Sequence, residues 1–263
     1  MIYNGYDLVV SAAEKKVSFY KSDKVAYFVS SMLAGIYVGL CVIATLIMAG
    51  MLKDFVGIKI LQGASFAAAL SLVVFAGAEL FTGNVFAMTA GIARKKVRLR
   101  DGVGLCVFNY IGNFAGSALI ALLFKGTGYL KSEVVSATID AIIVKTSPPF
   151  ESLLIRGVFC NLLVCAAVWS VYRMKSESGK LIIIFWAIYL FVICGFEHSI
   201  ANMTLFTLGA QIIPFQTLTT GISFAGMGLN LGAVTLGNII GGIMLSLAYW
   251  SISRKIPLGE NNK

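Results

Sequence analysis

The sequence is poor in charge, contains a single histidine and has no CxxC pair. Only 13% of its 263 residues are charged and 58% are hydrophobic, whereas about a quarter of the residues of a soluble domain are charged. HExxH and GxSxG are both missing, so the chain lacks these motifs of zinc proteases and serine hydrolases. The cysteines are scattered through apolar stretches, where small packing residues are common. We therefore expect no enzyme, no metal site and no other cofactor.

Long apolar runs are what the chain does have. A helix needs about 20 residues to cross the roughly 30 Å hydrocarbon core of a bilayer. Six stretches are long enough, the second and fifth of them interrupted: about 25–52, 60–93, 103–124, 152–172, 181–203 and 230–252. Their length and lack of alternation favour helices over barrel strands. We predict a single all-α transmembrane domain, 1–263, with six transmembrane helices.

The basic residues fall mainly on alternate loops. Fifteen Lys and Arg lie on one set and only four on the other; the first set comprises residues 15–24, 94–100, 173–180 and 254–263. The positive-inside rule then predicts a multi-pass protein of the cell (inner or plasma) membrane with both termini in the cytoplasm. The net charge of +9 reflects this topology, so we expect the lipid bilayer and no nucleic acid as a partner.

The N-terminal segment, 1–24, is polar and precedes the first span. Its residues 9–21 (VVSAAEKKVSFYK) predict an amphipathic helix that lies on the cytoplasmic interface. A mobile cytoplasmic gate is the alternative interpretation of the same segment.

An internal repeat runs through the chain. AGAELFTGN at 76–84 matches CGFEHSIAN at 194–202, which pairs Glu79 with Glu197 and Asn84 with Asn202 at an offset of 118. GNFAG at 112–116 matches GNIIG at 237–241 at an offset of 125, and 34–39 (AGIYVG) loosely matches 156–161 (RGVFCN). These matches predict two three-helix units, roughly 25–124 and 150–252. Because three is odd, the second unit must be inverted, and inverted repeats place their pathway near the midplane.

Each repeat predicts a broken helix. Residues 82–84 (TGN) in the first, and Ser199 and Asn202 in the second, combine flexible backbone with side chains that compete for backbone hydrogen bonds. Unwound backbone at this depth must line a cavity or be buried in protein. Half-helix N-termini that point at the midplane favour a small anion. We interpret Glu79 and Glu197 as structural supports that accept bonds from the freed backbone N–H groups.

His198 is not explained by the repeat, because its matching position is Leu80. A lone histidine on an apolar face is usually a satisfied core residue. This one is the sole histidine, sits at a predicted helix break and has an unperturbed pKa near 6.5. We predict that it attracts an anion, or gives it a proton so that the neutral acid crosses an apolar constriction. Charges within spans are costly and usually functional.

Four segments resemble the signature of the formate/nitrite transporter family: AELFTGN at 78–84, RGVFCNLLVCAAVW at 156–169, GFEHSIANM at 195–203 and VTLGNIIGG at 234–242. They occur in the family's order and cover essentially all six spans. The resemblance implies an aquaporin-like fold and a homopentamer with one pore per protomer. It also implies conduction of small monovalent anions such as formate, nitrite and hydrosulfide, with a proton as a possible co-substrate.

The resemblance also implies roles for individual residues. The cytoplasmic-side constriction would be formed by Leu80, Phe81, Val164 and His198. The outer constriction would include Phe66, Leu70 and Phe191, which could equally be core or lipid-facing residues. Hydrogen bonds facing His198 would come from Thr82 and Asn161. Glu79, Asn84, Glu197 and Asn202 would support the helix breaks.

Three further points follow from the resemblance. Lys145, in IVKTS, matches the family's vestibule lysine, although a lysine that snorkels to the interface is the alternative. Ala233 stands where the family commonly has a proline, at the entry to the last span. The segments FTGNVFAM and GLNLGAVTLGN look closest to those of the hydrosulfide-conducting branch.

A facilitator of small neutral solutes, of the aquaporin type, is the competing function. The chain has no NPA motif at either predicted break. A water pore also has little need of a histidine and a lysine along its path, so we favour an anion channel or permease.

Overall fold

The computed structural model describes residues 2–212 and 223–254, with side chains from residue 5 to residue 253. Throughout these residues the regular structure is α-helical, which confirms the predicted fold class. The helices are α1 (Ile2–Ser22), α2 (Lys24–Met51), α3 (Ile58–Phe66), α4 (Ala68–Phe75), α5 (Phe81–Ala93), α6 (Leu99–Lys125), α7 (Ser132–Thr146), α8 (Phe150–Arg173), α9 (Glu177–Ile193), α10 (Ser199–Ile212) and α11 (Phe224–Arg254).

Five segments are long and apolar enough to cross a membrane, so the chain is a multi-pass membrane protein. They are Lys24–Met51, Ile58–Phe75, Leu99–Lys125, Phe150–Arg173 and Phe224–Ser253. They correspond to five of the six predicted spans. The remaining prediction, at 181–203, falls on the 17-residue helix α9, the break after it and the start of α10.

Glycines let two pairs of helices pack with their backbones in close contact. A Cβ at Gly116 in α6 would meet the Met32 carbonyl of α2, and one at Gly241 in α11 would meet the Val158 carbonyl of α8. Small residues allow this approach within a membrane, where helix association depends on close packing. The repeated glycines of the sequence therefore hold α2 against α6 and α8 against α11.

The two helix breaks lie a few residues earlier than predicted. Gly77 (φ 75°) follows α4, and Gly195 (φ 68°) follows α9. Glycine adopts this left-handed backbone without the steric cost that a Cβ would bring, so the chain turns there and restarts as α5 at Phe81 and as α10 at Ser199. The residues Thr82, Gly83 and Asn84, predicted to form the break, make up the first turn of α5 instead.

The N-terminal helix α1 is amphipathic, but its apolar face covers protein and not lipid. Its side chains Tyr6, Val9 and Ala13 are fully buried, and they join a cluster that includes Phe86 of α5 and Trp169 of α8. The Trp169 ring lies 6.4 Å from the Tyr6 ring and 6.3 Å from the Phe86 ring. The apolar face of α1 therefore packs against the helix bundle, while its position at the cytoplasmic interface stays a prediction.

Candidate functional site

Two buried asparagines hold the starts of the half-helices. Asn113 Oδ1 accepts the backbone N–H of Phe81, the first residue of α5, at 2.9 Å. Asn238 Oδ1 accepts the N–H of Ser199, the first residue of α10, at 3.0 Å. Both asparagines are fully buried. Each therefore satisfies a backbone donor that has no partner within its own helix.

The same asparagines also tie the breaks to the preceding helices. Asn113 Nδ2 donates to the carbonyls of Ser31 (2.7 Å) and Glu79 (2.8 Å). Asn238 Nδ2 donates to the carbonyls of Gly157 (2.8 Å) and Glu197 (3.0 Å). Ser31 and Gly157 are 126 residues apart, so α2 and α8 correspond at that offset. The loose sequence match of 34–39 to 156–161, at 122, is therefore wrong by four residues, about one helical turn.

Glu79 is held by a lysine from α1. Lys16 Nζ lies 2.7 Å and 2.6 Å from the two carboxylate oxygens. Asn84 Nδ2 donates to Glu79 Oε2 at 2.8 Å, and the Tyr27 hydroxyl donates at 3.3 Å. Burial lowers the pKa of Lys16, but the Glu79 carboxylate raises it, and the net direction is upward. Lys16 is therefore a protonated counterion, which the sequence analysis missed.

Glu197 has a matching environment built from different elements. Lys145 Nζ, from α7, lies 2.8 Å from Glu197 Oε2, and Asn202 Nδ2 donates to the same oxygen at 2.7 Å. Asn230 of α11 accepts from Asn202 at 2.8 Å and donates to the Lys145 carbonyl at 2.7 Å. The Lys145 amine is thus directed at a buried carboxylate, which rules out the snorkelling alternative.

These contacts correct the predicted way in which the glutamates act. Both carboxylates were expected to accept freed backbone N–H groups, whereas they accept side-chain donors from lysine, asparagine and, for Glu79, tyrosine. The backbone donors go to Asn113 and Asn238 instead. Asparagine suits this place because one side chain offers both an acceptor and two donors.

His198 joins the two half-helices at their N-terminal ends. Its Nε2 lies 3.2 Å from Thr82 Oγ1 in the first turn of α5. Its Nδ1 accepts the backbone N–H of Ala201 at 3.3 Å. Because Nδ1 acts as an acceptor, the proton of the neutral ring is on Nε2, which donates toward Thr82. The predicted pairing of Thr82 with His198 is present.

Asn161 reaches Thr82 and not the histidine ring. Its Nδ2 donates to the Asn238 carbonyl at 2.6 Å and to the Thr82 carbonyl at 3.3 Å. Asn161 is fully buried. From α8 it therefore links the first turn of α5 to α11, a different position from the one predicted beside His198.

Two cavities lie at opposite ends of this arrangement. The Lys145 cavity, about 480 Å³, is lined by Lys145, Glu197 and His198, together with the later half of α2 and the early part of α8. The Lys16 cavity, about 460 Å³, is lined by Lys16 and Glu79, together with Ser30 near the start of α2 and the last turns of α8. His198 lines the first cavity and contacts Thr82, whose neighbours Leu80 and Gly83 line the second, so the His198–Thr82 contact lies between the two cavities.

The predicted constriction residues divide between these cavities. All six apolar ones are at least 93% buried in the described chain (Phe66, Leu70, Leu80, Phe81, Val164 and Phe191). Phe66 and Phe191 line the Lys145 cavity with their rings 5.9 Å apart. Leu70 and Leu80 line the Lys16 cavity, so Leu70 is separated from the two phenylalanines with which it was grouped.

Phe81 and Val164 line neither cavity. The Phe81 ring packs edge-on against Tyr110, with centroids 4.9 Å apart. Val164 lies in the apolar core and is only 1% exposed. Both residues are therefore packed inside the protein and away from the two cavity walls.

The described residues contain no group of three or more His, Cys, Asp and Glu side chains that could hold a metal ion. The polar groups that line the two cavities include two lysine–glutamate pairs, amides and one imidazole. Lysine, amide and imidazole groups can attract or hydrogen-bond an anion.

Paired half-helices, with a hydrogen-bonded histidine between two cavities, define a membrane channel or permease. The family model described as "Formate/nitrite transporter" matches residues 4–251. The chain therefore belongs to the formate/nitrite transporter family, which confirms the resemblance drawn from its motifs.

Individual relatives agree with this assignment. The nitrite transporter NirC of Escherichia coli (strain K12) is 36% identical over 236 residues, 89% of this chain and 86% of NirC. A solved "FNT family ion channel" superposes with a TM-score of 0.86 at 32% identity, covering 95% of this chain and 98% of that one. A "Pentameric formate channel with formate bound" gives a TM-score of 0.76 at 26% identity, covering 93% and 99%. All three relatives are named as transporters or channels, and none as an enzyme.

Proposed function

We propose that this chain conducts small monovalent anions, namely formate, nitrite or hydrosulfide, between the Lys145 and Lys16 cavities. The observation that carries the proposal is the contact of His198 Nε2 with Thr82 Oγ1 between the two cavities. An anion that displaces Thr82 would accept the Nε2–H bond, and the N-terminal ends of α5 and α10 would add their favourable partial charge. The named relatives transport or bind nitrite and formate.

His198 attracts the anion as a neutral hydrogen-bond donor. Protonation of Nδ1 would set its N–H against the backbone N–H of Ala201, which now donates to Nδ1 at 3.3 Å, and that hydrogen bond would be lost. A co-transported proton would then come from water in either cavity. It would let the anion cross the layer of Leu80, Phe81 and Val164 as a neutral acid, which avoids the cost of an unpaired charge in apolar surroundings.

We further propose that six transmembrane helices form an inverted, aquaporin-like repeat, with both termini in the cytoplasm. Five such protomers would assemble, as in the pentameric formate channel. An exposed apolar stripe on α6, which includes Val103, Val107 and Ile111, supports contact with lipid or a second protomer. Each protomer would then carry its own pair of cavities.

Flux measurements on His198→Phe and His198→Gln test the proposal. Formate, nitrite and hydrosulfide flux would be measured in proteoliposomes at pH 5.5 and 7.5. A hydrogen bond to a charged group is worth about 1.5–3 kcal/mol, so His198→Phe should lower flux by about tenfold or more. His198→Gln keeps an amide donor and should retain more of it. Equal oligomer elution of all three proteins controls for folding.

Two results would contradict the proposal. Unchanged flux and pH profile in His198→Phe would remove His198 from the pathway. Osmotic swelling in water or glycerol, without flux of any of the three anions, would favour the facilitator of small neutral solutes.

A further inference from the structure

Arg156 is a cation in the wall of the Lys145 cavity that has no ion-pair partner. It lies early in α8, is half-buried and lines the cavity together with His198. Within residues 2–212 and 223–254, no carboxylate lies within salt-bridge distance of its guanidinium. The neighbouring Lys145 amine is already paired with Glu197 at 2.8 Å. The guanidinium is thus a cationic group of this wall that remains available to an anion.

The repeat shows that the fold does not need an arginine at this position. The Arg156 carbonyl accepts the N–H of Glu197 at 3.3 Å, and the Ser30 carbonyl accepts the N–H of Glu79 at 3.2 Å. Arg156 and Ser30 therefore occupy equivalent positions, each beside its own helix break. Ser30 lines the Lys16 cavity as Arg156 lines the Lys145 cavity. A serine supports the same backbone contact, so the guanidinium serves another purpose.

The position of Arg156 brings it close to the pathway. Its backbone binds Glu197, the residue immediately before His198. Because Arg156 and His198 line the same cavity, an anion held by the guanidinium would already be in the cavity that leads to the histidine. Two further lysines line this wall without an ion-pair partner, Lys53 and Lys59, and both are exposed. The carboxylate residues Glu133 and Asp140 of the same wall are exposed too.

We propose that Arg156 is a specificity-determining residue that selects anions with two oxygens, a carboxylate or nitrite, at the entrance to the pathway. This inference rests on the proposed function. The planar guanidinium presents a fork of N–H donors that matches two oxygens of one anion, whereas lysine acts as a point charge. Hydrosulfide has one acceptor atom and cannot use the fork. The chain therefore favours formate and nitrite over hydrosulfide at low concentration.

The test compares Arg156→Lys and Arg156→Ser with the wild type in proteoliposomes. Arg156→Lys keeps the charge and removes the fork, and Arg156→Ser reproduces the residue of the other half. The half-saturation concentration for formate and nitrite should rise by about tenfold in Arg156→Lys and further in Arg156→Ser. That for hydrosulfide should change by less than about threefold in Arg156→Lys. Lys59→Ser removes a charge from the same wall and should leave the formate-to-hydrosulfide ratio unchanged.

Hydrosulfide flux in the same vesicles shows that each variant has folded and inserted. An unaltered formate half-saturation concentration in Arg156→Lys would overturn the inference, as would an equal rise for formate and hydrosulfide. An equal effect of Lys59→Ser would also overturn it, because general charge would then account for the selection. A wild type that conducts none of these anions would overturn the proposed function itself, an outcome that the wild-type vesicles alone reveal.

Discussion

The two helix breaks share their framework and differ in what they present to the cavities. Each has a glycine with positive φ, an asparagine that receives the new helix, and a glutamate bonded to an asparagine five residues later. Yet the first break presents Leu80 and Ser30 where the second presents His198 and Arg156. Duplicated residues therefore build the break, and the residues that differ between the halves are those to which we assign the proposed chemistry.

The two lysines differ from both groups of residues. They have the same role, because each pairs with a break glutamate, but they come from positions that do not correspond in the repeat. Lys16 comes from the N-terminal helix α1, and Lys145 comes from α7, which connects the two halves. Neither lysine belongs to a matched segment of the repeat. A buried carboxylate needs a counterion, and the two halves take theirs from different helices.

Removing the asparagine that receives a half-helix should have the largest effect on stability. Asn113→Ala and Asn238→Ala each leave one buried backbone N–H, of Phe81 or Ser199, without its acceptor and remove two hydrogen bonds to carbonyls. Since an unsatisfied buried group costs about 1–3 kcal/mol and each lost hydrogen bond about 1 kcal/mol, we expect a loss of about 4 kcal/mol in either half. Thermal unfolding in detergent measures it, with the exposed Ser22→Ala as control. A neutral effect at either position would show that the framework is not equivalent in the two halves.

Removing the lysines should lower the stability of the two halves by different amounts. The Glu197 side chain is 5% exposed and would keep only Asn202 as a donor after Lys145→Met. Glu79 is 13% exposed and would keep Asn84 and Tyr27 after Lys16→Met. Breaking a buried pair costs about 3–5 kcal/mol, so we expect about 3 kcal/mol for Lys145→Met and about half of that for Lys16→Met.

The same unfolding experiment provides the control for the lysine variants. Lys145→Met combined with Glu197→Gln removes both charges and should recover part of the loss, because no unpaired charge remains buried. A greater loss in Lys16→Met than in Lys145→Met would reverse the proposed difference between the two ion pairs.

Substitution of the turn glycines should have the smallest effect and should be equal in both halves. No atom lies within 4 Å of a Cβ placed at Gly77 or Gly195, so the cost is that of the left-handed backbone, about 1–2 kcal/mol. Gly77→Ala and Gly195→Ala should each lower unfolding stability by that amount. Gly83→Ala, inside α5 with Val168 at 3.5 Å, is the matched control and should lose no stability, because alanine has the higher helix propensity. A loss there instead would place the strained turn within the first turn of α5.

Sequence alone was enough for the all-α class, five of the six predicted membrane spans and the family, because these depend on long apolar runs and local motifs. The position of the break was predicted too late by several residues. Thr82, Gly83 and Asn84 are typical helix breakers, but Asn113 supplies the acceptor that lets a helix begin at Phe81. That acceptor is 32 residues away, so local propensity could not reveal it.

The residues that the sequence analysis missed act across still greater distances. The repeat pointed to Asn113 and Asn238, but not to their partners. Nothing in the local sequence of Lys16 links it to Glu79, which lies 63 residues later. Arg156 stood within a family motif, and its lack of an ion-pair partner became visible only once the cavity wall was known.

The separation of each ion pair along the chain has a consequence for biosynthesis. Lys16 precedes Glu79 by 63 residues, and Lys145 precedes Glu197 by 52. The ribosome therefore synthesises the lysine before the glutamate in both pairs. Each carboxylate enters the bilayer after the amine that neutralises it has been made. A carboxylate alone at that depth would resist insertion. Because of this order, neither half has to insert its glutamate into the bilayer before the lysine that neutralises it has been synthesised.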